Sequence, residues 1–132
     1  MSELTLTATT ENIAAVTAFV DEELEKLDCS MKAQMQIDVA IDELFSNIAF
    51  YAYENGGDAT VRFDYADGVV TLTFIDSGKP YDPTKKDDPD TTLSAEERQI
   101  GGLGIFLVKK TMDSLDYRYE DGKNVLTIKK TI

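Results

Sequence analysis

Val61, Phe63 and Tyr65 alternate with polar residues, Ala66-Asp67-Gly68 turns the chain, and Val70, Leu72 and Phe74 alternate again. Two runs of period 2 around a short glycine turn predict an antiparallel hairpin with one buried face. A sheet buried on one face needs a covering layer, so the rest of the chain is constrained to supply one.

It does so with helices. Leu4, Leu6 and Ala8 alternate with threonines, which predicts an opening strand. Thr10 is placed to cap a helix over 11–27, where Ile13, Val16, Phe19, Val20, Leu24 and Leu27 recur at helical spacing. Asp28-Cys29-Ser30 interrupts it. A longer helix is predicted over 31–53, with Ile37, Ile41, Leu44 and Ile48 as its apolar stripe and Asn55-Gly56-Gly57 as its stop. All three prolines fall within 78–100, among acidic residues and lysines, which marks a long loop of the lid or binding kind. Ile105, Phe106, Val108 and Met112 predict a last helix, and Tyr117, Tyr119 and 125–128 a last hairpin around Asp121-Gly122. The order β α α β β, lid, α β β predicts one domain over 1–132, with 79–100 as the lid. The fold class expected is an α/β (α+β) two-layer sandwich, its sheet mixed but mostly antiparallel, with helices on one face.

Charge and composition narrow the chemistry. The 132 residues include 13 basic and 25 acidic ones, a formal charge of −12. A nucleic-acid binder needs a cationic field, so neither nucleic acid nor an anionic membrane is an expected partner; a basic protein is. Cys29 is the sole cysteine and there is no histidine, which excludes an internal disulfide and a cysteine zinc cluster. The N-terminal ten residues lack the basic and apolar regions of a signal peptide, and the cytoplasm is the expected location.

Three short signals then occur in one order. Glu43 and Asn47 are four apart on the long predicted helix and share a face. Asn47 offers a neutral oxygen of the kind magnesium accepts, and Glu43, one turn away, could take a proton from a hydroxyl. On spacing alone a solvated helix edge explains the pair better. Asp76 keeps the parity of Val70, Leu72 and Phe74, so an extended strand points it inward, where an adenine amino group would satisfy it. Gly78 would allow close backbone approach. A strand end turning outward through Ser77-Gly78 is equally compatible. Gly101-Gly102-Leu103-Gly104 opens the last helix, where glycine N–H groups and the helix dipole suit a phosphate. It matches neither a Walker loop nor a dinucleotide fingerprint. Lys79, Lys85, Lys86 and Arg98 lie in or beside the lid, where they could offset phosphate charge. Lys109 and Lys110 read as solvated, and Tyr51, Tyr53, Tyr117 and Tyr119 as core and sheet packing.

As an ordered set, these segments resemble the N, G1 and G2 boxes of the gyrase, heat-shock chaperone, histidine-kinase and MutL ATPase superfamily. The chain is most similar there to the bacterial anti-sigma factor serine/threonine kinases. The resemblance rests on Ile41-Asp42-Glu43-Leu44-Phe45-Ser46-Asn47, Asp76-Ser77-Gly78-Lys79-Pro80-Tyr81-Asp82-Pro83 and Gly101-Gly102-Leu103-Gly104-Ile105-Phe106-Leu107. It implies a Bergerat-type fold with a Mg-ATP site beneath a lid. By position it implies Glu43 as general base, Asn47 as magnesium ligand, Asp76 and Gly78 as adenine binders, and the glycine turn with Leu103 at the phosphates. It also implies a homodimer that binds a sigma factor and phosphorylates a small anti-sigma-factor antagonist. Two positions depart from the family pattern. Tyr51-Ala52-Tyr53 stands where relatives carry His-Ala-Tyr, and Ile100 stands where some kinases carry an arginine, leaving Arg98 as the candidate to contact the γ-phosphate. Two functions are therefore expected, a protein serine/threonine kinase acting as an anti-sigma factor and, as the alternative, a nucleotide-dependent binding switch without catalysis.

Overall fold

The computed structural model describes residues 2–85 and 102–132, with the side chains of 85, 102 and 103 excepted. Five strands form one sheet: β1 (Ser2–Thr7), β2 (Asp58–Ala66), β3 (Val69–Asp76), β4 (Ser114–Glu120) and β5 (Lys123–Thr131), in the order β1-β2-β3-β5-β4. Every pairing among the described residues is antiparallel, so the sheet is not mixed as expected. Both hairpins turn through Asp-Gly pairs with positive φ, at Asp67-Gly68 and Asp121-Gly122, the backbone that matches strand twist in two-residue loops.

Three helices cover one face: α1 (Ile13–Lys26), α2 (Met31–Tyr51) and α3 (Gly102–Thr111). Thr10 does not cap α1. Residues Thr10–Asn12 form a 3-10 turn, and the Asn12 side-chain amide turns back to donate to the Thr7 carbonyl at 2.8 Å, so the α-helix starts two residues later than expected. Ser30 caps α2 by accepting from Ala33 N–H at 3.1 Å. At its other end α2 stops at Tyr51, two residues short of the prediction. There Lys79 N–H, arriving from the end of β3, donates to the Ala52 carbonyl at 2.9 Å. The Tyr53 hydroxyl donates to the Asp58 carbonyl and accepts from Ser77 N–H, both at 2.7 Å. Burial raises the Tyr53 pKa, which keeps that donor protonated.

The core lies between helices and sheet. Val16, Val20 and Leu24 of α1, and Ile37, Ile41, Leu44, Phe45 and Ile48 of α2, meet Val61, Val70, Leu72, Phe74 and Ile128 of the sheet. Ile105 and Val108 of α3, with Met112 just beyond its end, close its far side. The loop expected over 78–100 contains one short element among the described residues, a 3-10 turn Pro83–Lys85. Asp82 starts it by accepting from Thr84 N–H at 2.8 Å.

At the α1–α2 seam two carboxylates are set together. Asp21 and Asp38 each bury an Oδ1 with no hydrogen-bond partner among the described residues. Burial, and then the Asp21 carboxylate alongside, push Asp38 up to about 7. The folded chain therefore holds a proton that the unfolded chain releases near pH ~4, so this site loses stability as pH rises from there through about 7. Asp38→Asn is expected to raise the melting temperature at pH 8 by about 3 °C, in keeping with a screened pair worth less than about 1 kcal/mol. The gain should vanish toward pH 4. Thermal melts of both chains across that range check this, and a gain independent of pH would contradict it.

Candidate functional site

The alternation of β3 decides the first site residue. Val70, Leu72, Phe74 and Asp76 are buried in turn, and Asp76 is only 5% exposed. The strand end does not turn outward. Asp76 Oδ1 accepts from Gly78 N–H and from the Asn124 side-chain amide, both at 2.9 Å. Among the described residues no donor reaches Oδ2.

Asn47 faces the same space from α2. It is 7% exposed, and its Nδ2 is buried without a partner among the described residues. Leaving a polar group in that state costs ~1–3 kcal/mol unless something outside the protein answers it. Asn47 and Asp76 line one cavity of about 370 Å³, open mouth included. Leu44, Ile48, Phe74 and Tyr81 supply apolar wall. An apolar slot with a few polar atoms aimed into it suits a flat heteroaromatic ring.

The glycines act through missing side chains. A Cβ on Gly78 would collide with the backbone carbonyl of Ala52, so Gly78 brings the exit of β3 against the end of α2. The close approach shown here is to protein backbone. A Cβ on Gly104 would collide with the Glu43 carboxylate, so half-buried Glu43 lies across the first turn of α3. The positive end of that helix dipole favours a carboxylate there. Glu43 and Asn47 thus face different neighbours on one helix side, the first toward α3 and the second into the cavity.

Gly102 and Leu103 belong to the first turn of α3. Gly101, Arg98, Ile100 and Lys86 lie outside the described residues. Lys79 is exposed. Lys110 sits 5.3 Å from the Phe106 ring centre, a cation–π contact and not simple solvation. The tyrosines divide. Tyr53 packs against the core, as expected, and Tyr119 is exposed. Tyr117 also lines the cavity, and Tyr51 stacks on Tyr81, a cavity wall, with ring centres 5.0 Å apart.

Asn124 is the site residue that motif reading missed. It is buried beside Asp76, its register partner on β3. Its Nδ2 donates to Asp76 and to the Lys79 carbonyl at 2.9 Å, with the Gly78 carbonyl at 3.5 Å. Its Oδ1 accepts from Tyr81 N–H at 3.2 Å and from the Tyr117 hydroxyl. Burial raises the Tyr117 pKa and keeps that hydroxyl a donor. The signal was parity: Asn124 shares a face with Leu126 and Ile128.

A helix-covered antiparallel sheet, with an amide of the second helix and a strand-end carboxylate in one slot, defines a nucleotide-binding α/β domain of the histidine-kinase type. The chain belongs to the histidine kinase-like ATPase domain family, whose model matches residues 6–130. It is 31% identical over 128 residues to the serine/threonine-protein kinase BtrW of Bordetella bronchiseptica, covering 96% of this chain and 89% of that protein. It is 27% identical to the anti-sigma F factor of Caldanaerobacter subterraneus subsp. tengcongensis, with the same coverage. It is 29% identical to the serine-protein kinase RsbW of Listeria monocytogenes, covering 76% of this chain and 68% of that one. Among solved structures, the catalytic domain of histidine kinase ThkA matches 99% of this chain and 97% of its own, with a TM-score of 0.52 at 15% identity. Histidine kinase AdeS of Acinetobacter baumannii gives 0.53 at 14%, covering 99% of this chain and 68% of that one. Those two likenesses establish the fold.

Gly78→Ala is expected to destabilise the chain by about 1–3 kcal/mol, because the obstacle is backbone. Gly104→Ala should cost less, because the Glu43 side chain can swing away. Urea unfolding of both variants tests the order; a harmless Gly78→Ala would refute the close approach.

Proposed function

We propose that this chain is an ATP-dependent protein serine/threonine kinase that also acts as an anti-sigma factor, transferring the γ-phosphoryl group of ATP to a serine or threonine of a small antagonist protein. The observation that carries this reading is the pairing of Asn47 and Asp76 on one apolar cavity, where among the described residues Asn47 Nδ2 is buried without a partner and both donors to Asp76 fall on Oδ1. The names and coverage of the relatives support the same activity.

Asp76 Oδ2 accepts from the purine amino group while Oδ1 stays held by Gly78 and Asn124. The ring lies between Ile48, Phe74 and Leu126. The N–H groups of the first turn of α3, beginning at Gly102, face the phosphates. Glu43 takes the proton of the incoming hydroxyl. The hydroxyl oxygen bonds the γ-phosphorus as the bridging bond to the β-phosphate breaks, and ADP leaves. Arg98 offsets γ-phosphate charge in place of the arginine that some kinases of the family carry where Ile100 stands here. Mg2+ would supply charge neutralisation for the phosphates, with the Asn47 side-chain oxygen as its protein ligand and Nδ2 left as a donor. No group of three or more Asp, Glu, His or Cys among the described residues could hold a metal, which suits an ion that keeps several waters.

The partner half of the proposal rests on surface. No helix among the described residues is long and apolar enough to cross a membrane. The charge of −12 favours a basic sigma-factor surface. Met31, Met35 and Val39 stand 78%, 60% and 48% exposed along the outer side of α2, apolar area that a protein partner would cover. Assembly as a homodimer belongs to the same reading.

Mg-ATP at ~100 times its dissociation constant should stabilise the chain by about 2.7 kcal/mol. Asp76→Asn should abolish that shift. Glu43→Gln should keep ATP binding within about twofold yet slow label transfer to the antagonist by at least ~100-fold. Differential scanning fluorimetry and transfer of radiolabel test this, and an unmoved melting temperature at millimolar Mg-ATP would defeat the proposal.

A further inference from the structure

Four of the hydrogen-bond partners of Asn124, namely Asp76, Gly78, Lys79 and Tyr81, belong to residues 76–81, the stretch that leaves β3. The fifth, Tyr117, is on β4. A side-chain amide has two N–H donors and two acceptor lone pairs, and protein partners occupy all of them. The amide also has a single workable orientation. Reversed, its oxygen would face a carboxylate and two carbonyls, and its NH2 would face the Tyr81 N–H.

We infer that Asn124 is a positioning residue that holds the Asp76 carboxylate and the Tyr81 wall of the cavity in one hydrogen-bonded frame. By donating to Oδ1 it leaves Oδ2 as the oxygen for a ligand donor. By binding the Lys79 carbonyl and the Tyr81 N–H it sets the strand exit over the cavity, where Tyr81 and Pro83 form wall. Tyr51, stacked on Tyr81, inherits its place from the same frame. The ligand half of this inference rests on the nucleotide reading above; the frame itself does not.

The test separates directional bonding from packing. Asn124→Asp is nearly isosteric but sets an acceptor against Asp76 Oδ1 and two carbonyls, whereas Asn124→Ala only removes bonds. A packing role predicts that Ala is the worse change; the frame predicts Asp. At pH 8, Asn124→Ala should weaken ATP binding ~10-fold and Asn124→Asp ~100-fold, the range for losing, or opposing, a buried hydrogen bond to a charge. Asn124→Asp should recover affinity as pH falls toward 5 and its carboxyl gains a proton to donate, and Asn124→Ala should not. Amide exchange at Tyr81 in the nucleotide-free chain should quicken ~10-fold in both variants, and to a smaller extent in Tyr117→Phe, which keeps the frame testable if the Asn124 variants do not fold. Ala worse than Asp at every pH, or unchanged Tyr81 exchange, overturns the inference. Failure of the wild-type chain to bind ATP would instead sink the nucleotide reading, and the exchange experiment would still judge the frame.

Discussion

A carboxylate at the buried end of a central strand must be answered by donors, and much of this site follows from how Asp76 is answered. An uncompensated charge there would be far more costly than any single packing defect. The antiparallel register of β3 and β5 sets Asn124 opposite it, and the turn at Gly78 sets a backbone N–H two residues on. Both donors fall on one oxygen. The carboxylate is thereby fixed in rotation and still has acceptor capacity facing a cavity. Had β5 paired with β3 one residue out of step, every side chain of β5 would change face, and Asp76 would be left beside Val125 or Lys123.

The same strand exit also ties down the helix layer. Lys79 N–H holds the Ala52 carbonyl, Ser77 N–H holds the Tyr53 hydroxyl, and the Gly78 backbone is pressed against Ala52. The end of α2 and the end of β3 are therefore one joined corner, and Asn47 and Asp76 project from its two sides into one cavity. One turn back along α2, Glu43 lies on the start of α3. A single helix thus relates the cavity to the first turn of α3.

Most of the fold was legible because period 2 and period 3.6 are imposed by burial on one face. The strands, the helices and the two Asp-Gly turns all carried that pattern. What escaped depends on contacts between distant segments. The end of α2 at Tyr51 is set by Lys79 and Ser77, which no window around residue 51 contains. The start of α1 shifted because Asn12 bonds back to the opening strand, a competition that the capping propensity of Thr10 does not reveal. Asp76 was ambiguous for the opposite reason. Its parity pointed inward, its chemistry outward, and only a register partner such as Asn124 resolves the conflict. Glu43 and Asn47 looked like an ordinary helix edge because i, i+4 spacing says nothing of what lies across from each.

The acidic balance of the chain sharpens the question of how phosphates would be tolerated. Several described cations are committed elsewhere. Arg62 bonds Glu3 at 2.7 Å, Arg118 approaches Glu120 at 3.4 Å, Lys26 approaches Glu23 at 3.5 Å, and Lys130 donates to the Thr111 carbonyl at 2.6 Å. Lys110 rests on Phe106. In the proposed complex the N–H groups that open α3 would share with Arg98 the offsetting of phosphate charge, and the dipole of that helix also favours the nearby Glu43 carboxylate. A phosphate and Glu43 would compete for that positive end.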